Sequence, residues 1–304
     1  MAEVERVAQL CDKLGYRRFL RQYALVRHVA DGLLADLASD ETRATVRARR
    51  DAPAAATDML PPVRAFAFGR GSVLVGERQV SDLEWRSEKS KEMFFFLLAK
   101  QESVTKEEIF GALWPDLPES KCNSNFHSSL YRLRRALFHE CVVREGDGSY
   151  ALNSKGEFDS DVAAFNRAML EAEVLRGGEA RETKLAEAVA LYTGPFLSST
   201  YSEWAEPVRR ELEDRYVEAL NELAAARMRD GKHEEALSLF KSLESMDSYS
   251  DAAAYGIMRC HIALNDGPAA TRFFRRYRQL LKDELDEEPS ERLVALYKEA
   301  SAQG

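Results

Sequence analysis

No run of about 18 consecutive apolar residues occurs among the 304, so no segment reads as a membrane-spanning helix. The first ten residues carry Glu3 and Glu5 and lack the apolar core of a signal peptide, which leaves the cytoplasm as the expected compartment. Cysteine is scarce. Cys11, Cys122, Cys141 and Cys260 stand far apart with no Cys-x-x-Cys pair, which speaks against a disulfide framework and a zinc site. Cys260 and His261 are adjacent, but neighbours on a helix point in different directions and no second ligand cluster accompanies them. No Gly-x-x-x-x-Gly-Lys-Ser/Thr loop is present, so the residues themselves provide no ATPase signature. His28, His127, His139, His233 and His261 have no nucleophile and acid at motif spacing. Enzymes are therefore the least supported class, and neither a metal nor a cofactor is expected. With 16 Gly, 9 Pro, 45% hydrophobic and 31% charged residues, the composition excludes collagen-like and wholly disordered chains and has room for about two domains.

A basic surplus is also lacking. The formal charge of -8 argues at first against a polyanionic partner. The charge is unevenly spread, however: residues 1–62 carry 10 basic and 9 acidic side chains, 63–157 carry 14 of each, and 158–304 carry 19 and 28. Between Glu119 and Arg135, Lys121, Arg132, Arg134 and Arg135 oppose Glu119 alone. A basic patch can lie there.

Four parts follow from the pattern. Residues 1–50 read as an N-terminal helical segment, with Val7, Leu10 and Leu14, then Leu25, Val26, Val29 and Leu33 near helical spacing. Residues 51–62 hold three prolines and no period, the composition of a linker. In 63–157, Phe66, Phe68, Val73, Val75, Val80 and Leu83 fall in short runs broken by Gly69, Gly71 and Gly76, as in a small antiparallel sheet extending to Glu84. Helices are expected over 89–100, 106–114 and 120–138. A hairpin then joins Val142–Arg144 to Tyr150–Leu152 across Glu-Gly-Asp-Gly-Ser. Short strands, three helices and a terminal hairpin make a winged helix-turn-helix. Residues 158–304 are almost wholly helical in pattern, and Ala236, Phe240 and Leu243 recur as Ala270, Phe274 and Tyr277 after 34 residues, the period of tetratricopeptide pairs. The fold expected is mainly α with a small antiparallel β component.

The third helix of 63–157 carries the chemistry. Phe126, Leu130, Leu133 and Leu137 form an apolar stripe. Opposite it lie Lys121, Ser124, His127, Ser128, Tyr131, Arg132 and Arg135, with Asn123, Asn125 and Arg134 on the flanks. Asn and Ser can bond base edges, Arg can take guanine bidentately, and Lys or Arg can neutralise phosphate. An ordinary solvated helix face would look the same taken alone. The preceding helix and the following hairpin favour DNA, with Arg144 or Ser149 of the wing reaching the backbone or minor groove. The glycines of 69–71 lack the helix and lysine of a phosphate cradle and read as a turn. Cys122 falls on the apolar side and reads as core. Tyr192, Tyr201 and Trp204 are assigned to packing before partner contact.

Arg132-Leu133-Arg134-Arg135-Ala136-Leu137, preceded by Leu113-Trp114-Pro115 and followed by a wing ending in Tyr150, resembles the OmpR-type winged-helix effector domain. Asp161 to Phe165, Gly194-Pro195-Phe196-Leu197, Glu203-Trp204 and the ending Leu281-Lys282-Asp283-Glu284-Leu285 resemble the bacterial transcriptional activator domain. In this order the two modules resemble regulators of the Streptomyces antibiotic regulatory protein type. Gly15 to Leu20 are similar to the end of the helical array in regulators that carry a signal-transduction ATPase. The resemblance implies an activator that binds double-stranded DNA at repeated promoter half-sites and recruits RNA polymerase; because one winged helix covers too little DNA for tight specific binding alone, two copies as a homodimer are expected. Pro115 to Glu119 carry no positive charge, and Ser128 and Ser129 stand where such helices often hold branched apolar residues, so the sequence preference does not transfer. The competing reading is a protein-binding adaptor that uses the repeats without DNA.

Overall fold

The computed structural model describes residues 60–175 and 177–302. The helical segment expected over 1–50, and all but the last three residues of the linker expected at 51–62, lie outside them. The chain divides into two units, one running to Ser160 and including Phe196–Glu206, the other comprising Asp161–Pro195 and the chain from Pro207.

The first unit opens with β1 (Val63–Phe66), β2 (Ser72–Val75) and β3 (Arg78–Gln79), and closes its sheet with β6 (Phe158–Ser160) in the order β3-β2-β1-β6. Val63 and Ala65 of β1 turn inward while Arg64 and Phe66 turn out, the period of two that a half-buried strand imposes. The antiparallel sheet expected over 63–84 is formed by β1–β2 and β2–β3, while β6, at the start of the stretch expected to be helical, is a strand parallel to β1 with Val63 opposite Phe158. A helical excursion separates β3 from β6, and such a crossover is what a parallel pairing requires.

Strand character also stops earlier than expected. Ser81 and Glu84 form a reciprocal cap that starts a one-turn helix, α1 (Asp82–Trp85). That turn buries Trp85 and leaves Leu83, expected as a strand residue, 88% exposed.

Helix α2 (Glu88–Lys100) holds Met93, Phe94, Phe95, Phe96 and Leu97, all buried. A helix apolar on successive positions must be covered on several sides. Phe94 meets Trp85, Phe95 and Phe158, and Phe96 meets Trp204 edge-on at 5.2 Å. The cover over Phe96 comes from residues 196–206, a strap distant in sequence. Its Leu197 N–H donates to Ala67 O at 2.8 Å, its Ser198 N–H to Gly69 O at 2.7 Å, and the Trp204 indole N–H to Glu92 Oε1 at 2.8 Å. Glu92, only 8% exposed, also holds Lys89 Nζ at 2.8 Å. Gly71 lies under the strap with φ at +76°, and a Cβ there would come within 2.8 Å of Leu197 Cδ2. Trp204, assigned to packing within the helical repeats, packs instead on Phe96 of the first unit, and Tyr201, assigned likewise, is 97% exposed because the strap turns it away from the core.

The second unit contains α5 (Asp161–Val174), α6 (Glu179–Leu191), α7 (Ala205–Arg229, which enters this unit at Pro207), α8 (His233–Met246), α9 (Asp251–Ala263), α10 (Gly267–Leu285) and α11 (Glu291–Ala302). The residues related by 34 positions fall at matching places in α8 and α10: Ala236 and Ala270 are fully buried, and Leu243 and Tyr277 close each core. Small residues let the partner helix approach, and large ones fill the space it leaves. Gly256 of α9 does the same for Phe240, since a Cβ there would overlap the ring. Ser250 and Asp266 cap α9 and α10 by accepting from Ala253 N–H and Ala269 N–H. Tyr192 stacks on Tyr216 with centroids 4.0 Å apart, and its hydroxyl pKa is pushed up to about 12 chiefly by burial.

Candidate nucleic-acid interface

Two helices and a hairpin on the first unit build the surface. Thr105 opens α3 (Lys106–Leu113), accepting from Glu108 N–H at 3.2 Å while Glu108 Oε2 accepts from Thr105 N–H at 2.7 Å. These bonds from the Thr105 backbone and then its hydroxyl hold the Glu108 carboxyl below its usual value. A short turn from Trp114 leads to α4 (Glu119–Ala136). Cys122, Phe126, Ser129, Leu130, Leu133 and Ala136 are buried along one side of α4, fixing which face remains outward. Phe126 sits between Phe110 at 6.0 Å and Tyr150 at 4.8 Å. Cys122 is core, as expected, with its Sγ 3.3 Å from Leu117 O.

Two arginines lock the C-terminal end of α4. Arg134 donates to Val142 O at 2.8 Å, and Arg78, ion-paired with Glu84, donates to Ala136 O at 3.0 Å. Both supply positive charge where the helix dipole presents its negative end. Arg134, read as a flank residue, is thereby a tether to the hairpin.

The hairpin comprises β4 (Val142–Arg144) and β5 (Tyr150–Leu152), with Arg144 opposite Tyr150. Val104, just before α3, pairs with Tyr150 and adds a second line of backbone hydrogen bonds. Arg144 is exposed at the hairpin's end. Ser149 differs from its expected role: it is 5% exposed, and its hydroxyl and N–H both donate to Asp147 Oδ1, at 2.6 and 2.9 Å. Those bonds hold the Asp147 carboxyl below its usual value, and the serine stabilises the turn instead of facing outward.

The remaining candidates fall on one surface. Lys121, Asn123, Ser124, His127, Ser128, Tyr131 and Arg135 are exposed, and Asn125 and Arg132 are half-buried. Tyr131, on the same surface, is 61% exposed. From Lys121 to Arg135 no acidic side chain interrupts the face. One contributor has no signature in the sequence. Lys106, at the start of α3, places Nζ 3.0 Å from Asn123 Oδ1, 3.4 Å from His127 Nε2 and 5.2 Å above the centre of the Phe126 ring. It lies 17 residues before Asn123, so no helical spacing could announce the contact.

Among the described residues no group of three or more His, Cys, Asp or Glu is placed to hold a metal, and no helix is long and apolar enough to cross a membrane. Burial pushes the Cys141 and Cys260 thiols up to about 11.

No curated protein matches the chain. A solved structure, Mycobacterium tuberculosis EmbR in complex with a low-affinity phosphopeptide, resembles it in fold with a TM-score of 0.60 at 18% identity. That similarity covers 80% of this chain and 66% of the EmbR chain, just under two thirds of its length. Residues 160–300 match the family model of the bacterial transcriptional activator domain, so this part of the chain has the sequence of that domain.

Proposed function

We propose that the protein is a sequence-specific transcriptional activator of the Streptomyces antibiotic regulatory protein type. Residues 63–160 with the strap at 196–206 serve as an OmpR-like winged helix, and α4 enters the major groove as its recognition helix. The observation that supports this best is the outward face of α4, where amide, hydroxyl, imidazole, phenol and guanidinium groups stand together without a carboxylate. Arg132, Arg135 and Lys121 neutralise phosphates or take guanine, and Arg144 of the hairpin reaches the adjacent backbone. One such module covers about 600–1,000 Å², too little for tight specific binding alone, so two copies occupy paired half-sites as a homodimer.

The helices of 161–195 and 207–302 act as tetratricopeptide-like pairs that hold protein partners, RNA polymerase among them. The surplus of 28 acidic over 19 basic residues in 158–304 supports a protein-facing role, because such a field repels phosphate. Footprinting of the full chain on promoter DNA, joined to a reconstituted polymerase assay, tests the proposal. Protection of two spaced half-sites with stimulated transcription is expected. Binding that shows no preference among sequences would overturn the reading and return the adaptor function.

A further inference from the structure

Lys106 stands outside the recognition helix yet holds the first exposed amide upon it. Lysine has three donors and no acceptor. The group facing Nζ at 3.0 Å can therefore only be the Asn123 oxygen, and the amide orientation is fixed by the chemistry of its partner. His127 Nε2 lies 3.4 Å from the same ammonium. The ammonium is kept there by the face of Phe126, whose own ring is buried in the core. Lys106, Asn123 and His127 thus form one corner in which an ammonium sits on the Asn123 oxygen and the amide NH2 is left to donate outward.

Unconstrained asparagine reads adenine by giving a hydrogen bond to N7 and accepting one from the N6 amino group. In this corner the acceptor half of that pair already faces an ammonium, and the adenine N6 donors would meet the same positive charge. Guanine presents two acceptors, N7 and O6, at the corresponding places in the major groove. We infer that Lys106 sets base preference at the start of α4, pinning Asn123 so that the corner selects guanine over adenine. The inference rests on the proposal that α4 reads DNA.

Selection of the full-length protein against a library of randomised duplexes, followed by sequencing, tests it with three proteins. The unaltered chain is expected to enrich guanine at one position of each half-site, and Asn123→Ala to lose preference at that position alone. Lys106→Met frees the amide oxygen and should raise the adenine-to-guanine ratio there by about fivefold or more, the lower end of the discrimination a bidentate contact provides. Retention of guanine by Lys106→Met, or adenine at the Asn123-dependent position in the unaltered chain, overturns the inference while leaving DNA reading intact. If the unaltered chain enriches no sequence, DNA reading itself fails and the inference falls with it.

Discussion

Removing the Trp204 side chain should loosen the first unit although the residue lies far along the chain from its core. Trp204 packs against Phe96 at 5.2 Å and Phe196 at 6.1 Å, and its indole N–H satisfies Glu92 Oε1 at 2.8 Å. Full truncation of a buried aromatic costs about 3–5 kcal/mol. Trp204 is half-buried, which reduces the packing loss to about 2 kcal/mol on that scale. Leaving one oxygen of an almost buried carboxylate without its donor adds about 1–2 kcal/mol. Trp204→Ala should therefore destabilise the unit by about 3–4 kcal/mol, a large share of the roughly 5–15 kcal/mol that holds a typical domain. Urea unfolding followed by far-ultraviolet circular dichroism reads the effect as a lowered midpoint with an unchanged slope. Trp204→Phe keeps much of the packing but loses the hydrogen bond, and should fall between. An unchanged midpoint in Trp204→Ala would refute the claim that 196–206 complete this unit. A chain ending at Glu157, which loses both β6 and the strap, should fare worse still.

Three further outcomes follow from local geometry. Gly256→Ala should lower stability by about 1–3 kcal/mol, measured by thermal unfolding, because the new methyl group would overpack the Phe240 ring. The contribution of the Glu108 cap should be present above pH about 4.5, the carboxyl's unperturbed value, and be lost as pH falls through its lower folded value. Glu108→Gln should remove that segment of the stability-against-pH curve, and an identical curve would contradict the cap. Cys122, Cys141 and Cys260 are buried, so iodoacetamide at neutral pH should leave all three unmodified until urea unfolds the chain; rapid labelling of Cys122 in the native protein would show that it is not core.

Elements built from neighbours in sequence are legible in the order of the residues alone. The hairpin at 142–152 follows from its turn residues, and α2 to α4 from their apolar spacing, to within a few residues at each end. The 34-residue displacement marks α8 and α10 because both place a small residue one turn before a large one. What the sequence does not announce depends on segments far apart along the chain. The parallel pairing of β6 with β1 and the strap at 196–206 join stretches that no local period connects. The approach of Lys106 to Asn123 is of the same kind. Two departures differ from these, since their signals are present in the sequence: Ser81-x-x-Glu84 is a cap signature that outranks the apolar Leu83, and Asp147-Gly-Ser149 is a turn in which the serine bonds back to the aspartate.

The central claim is that the outward face of α4 binds DNA, and the salt dependence of binding by Arg132→Ala with Arg135→Ala tests it most directly. Both side chains lie away from the buried stripe, so the double variant should fold as the unaltered chain does. Every phosphate that is no longer neutralised flattens the slope of log affinity against log salt by about 0.9, so removing both arginines should flatten it by about 1.8 and weaken binding at every salt concentration. An unchanged affinity and an unchanged slope in a folded double variant would contradict the account.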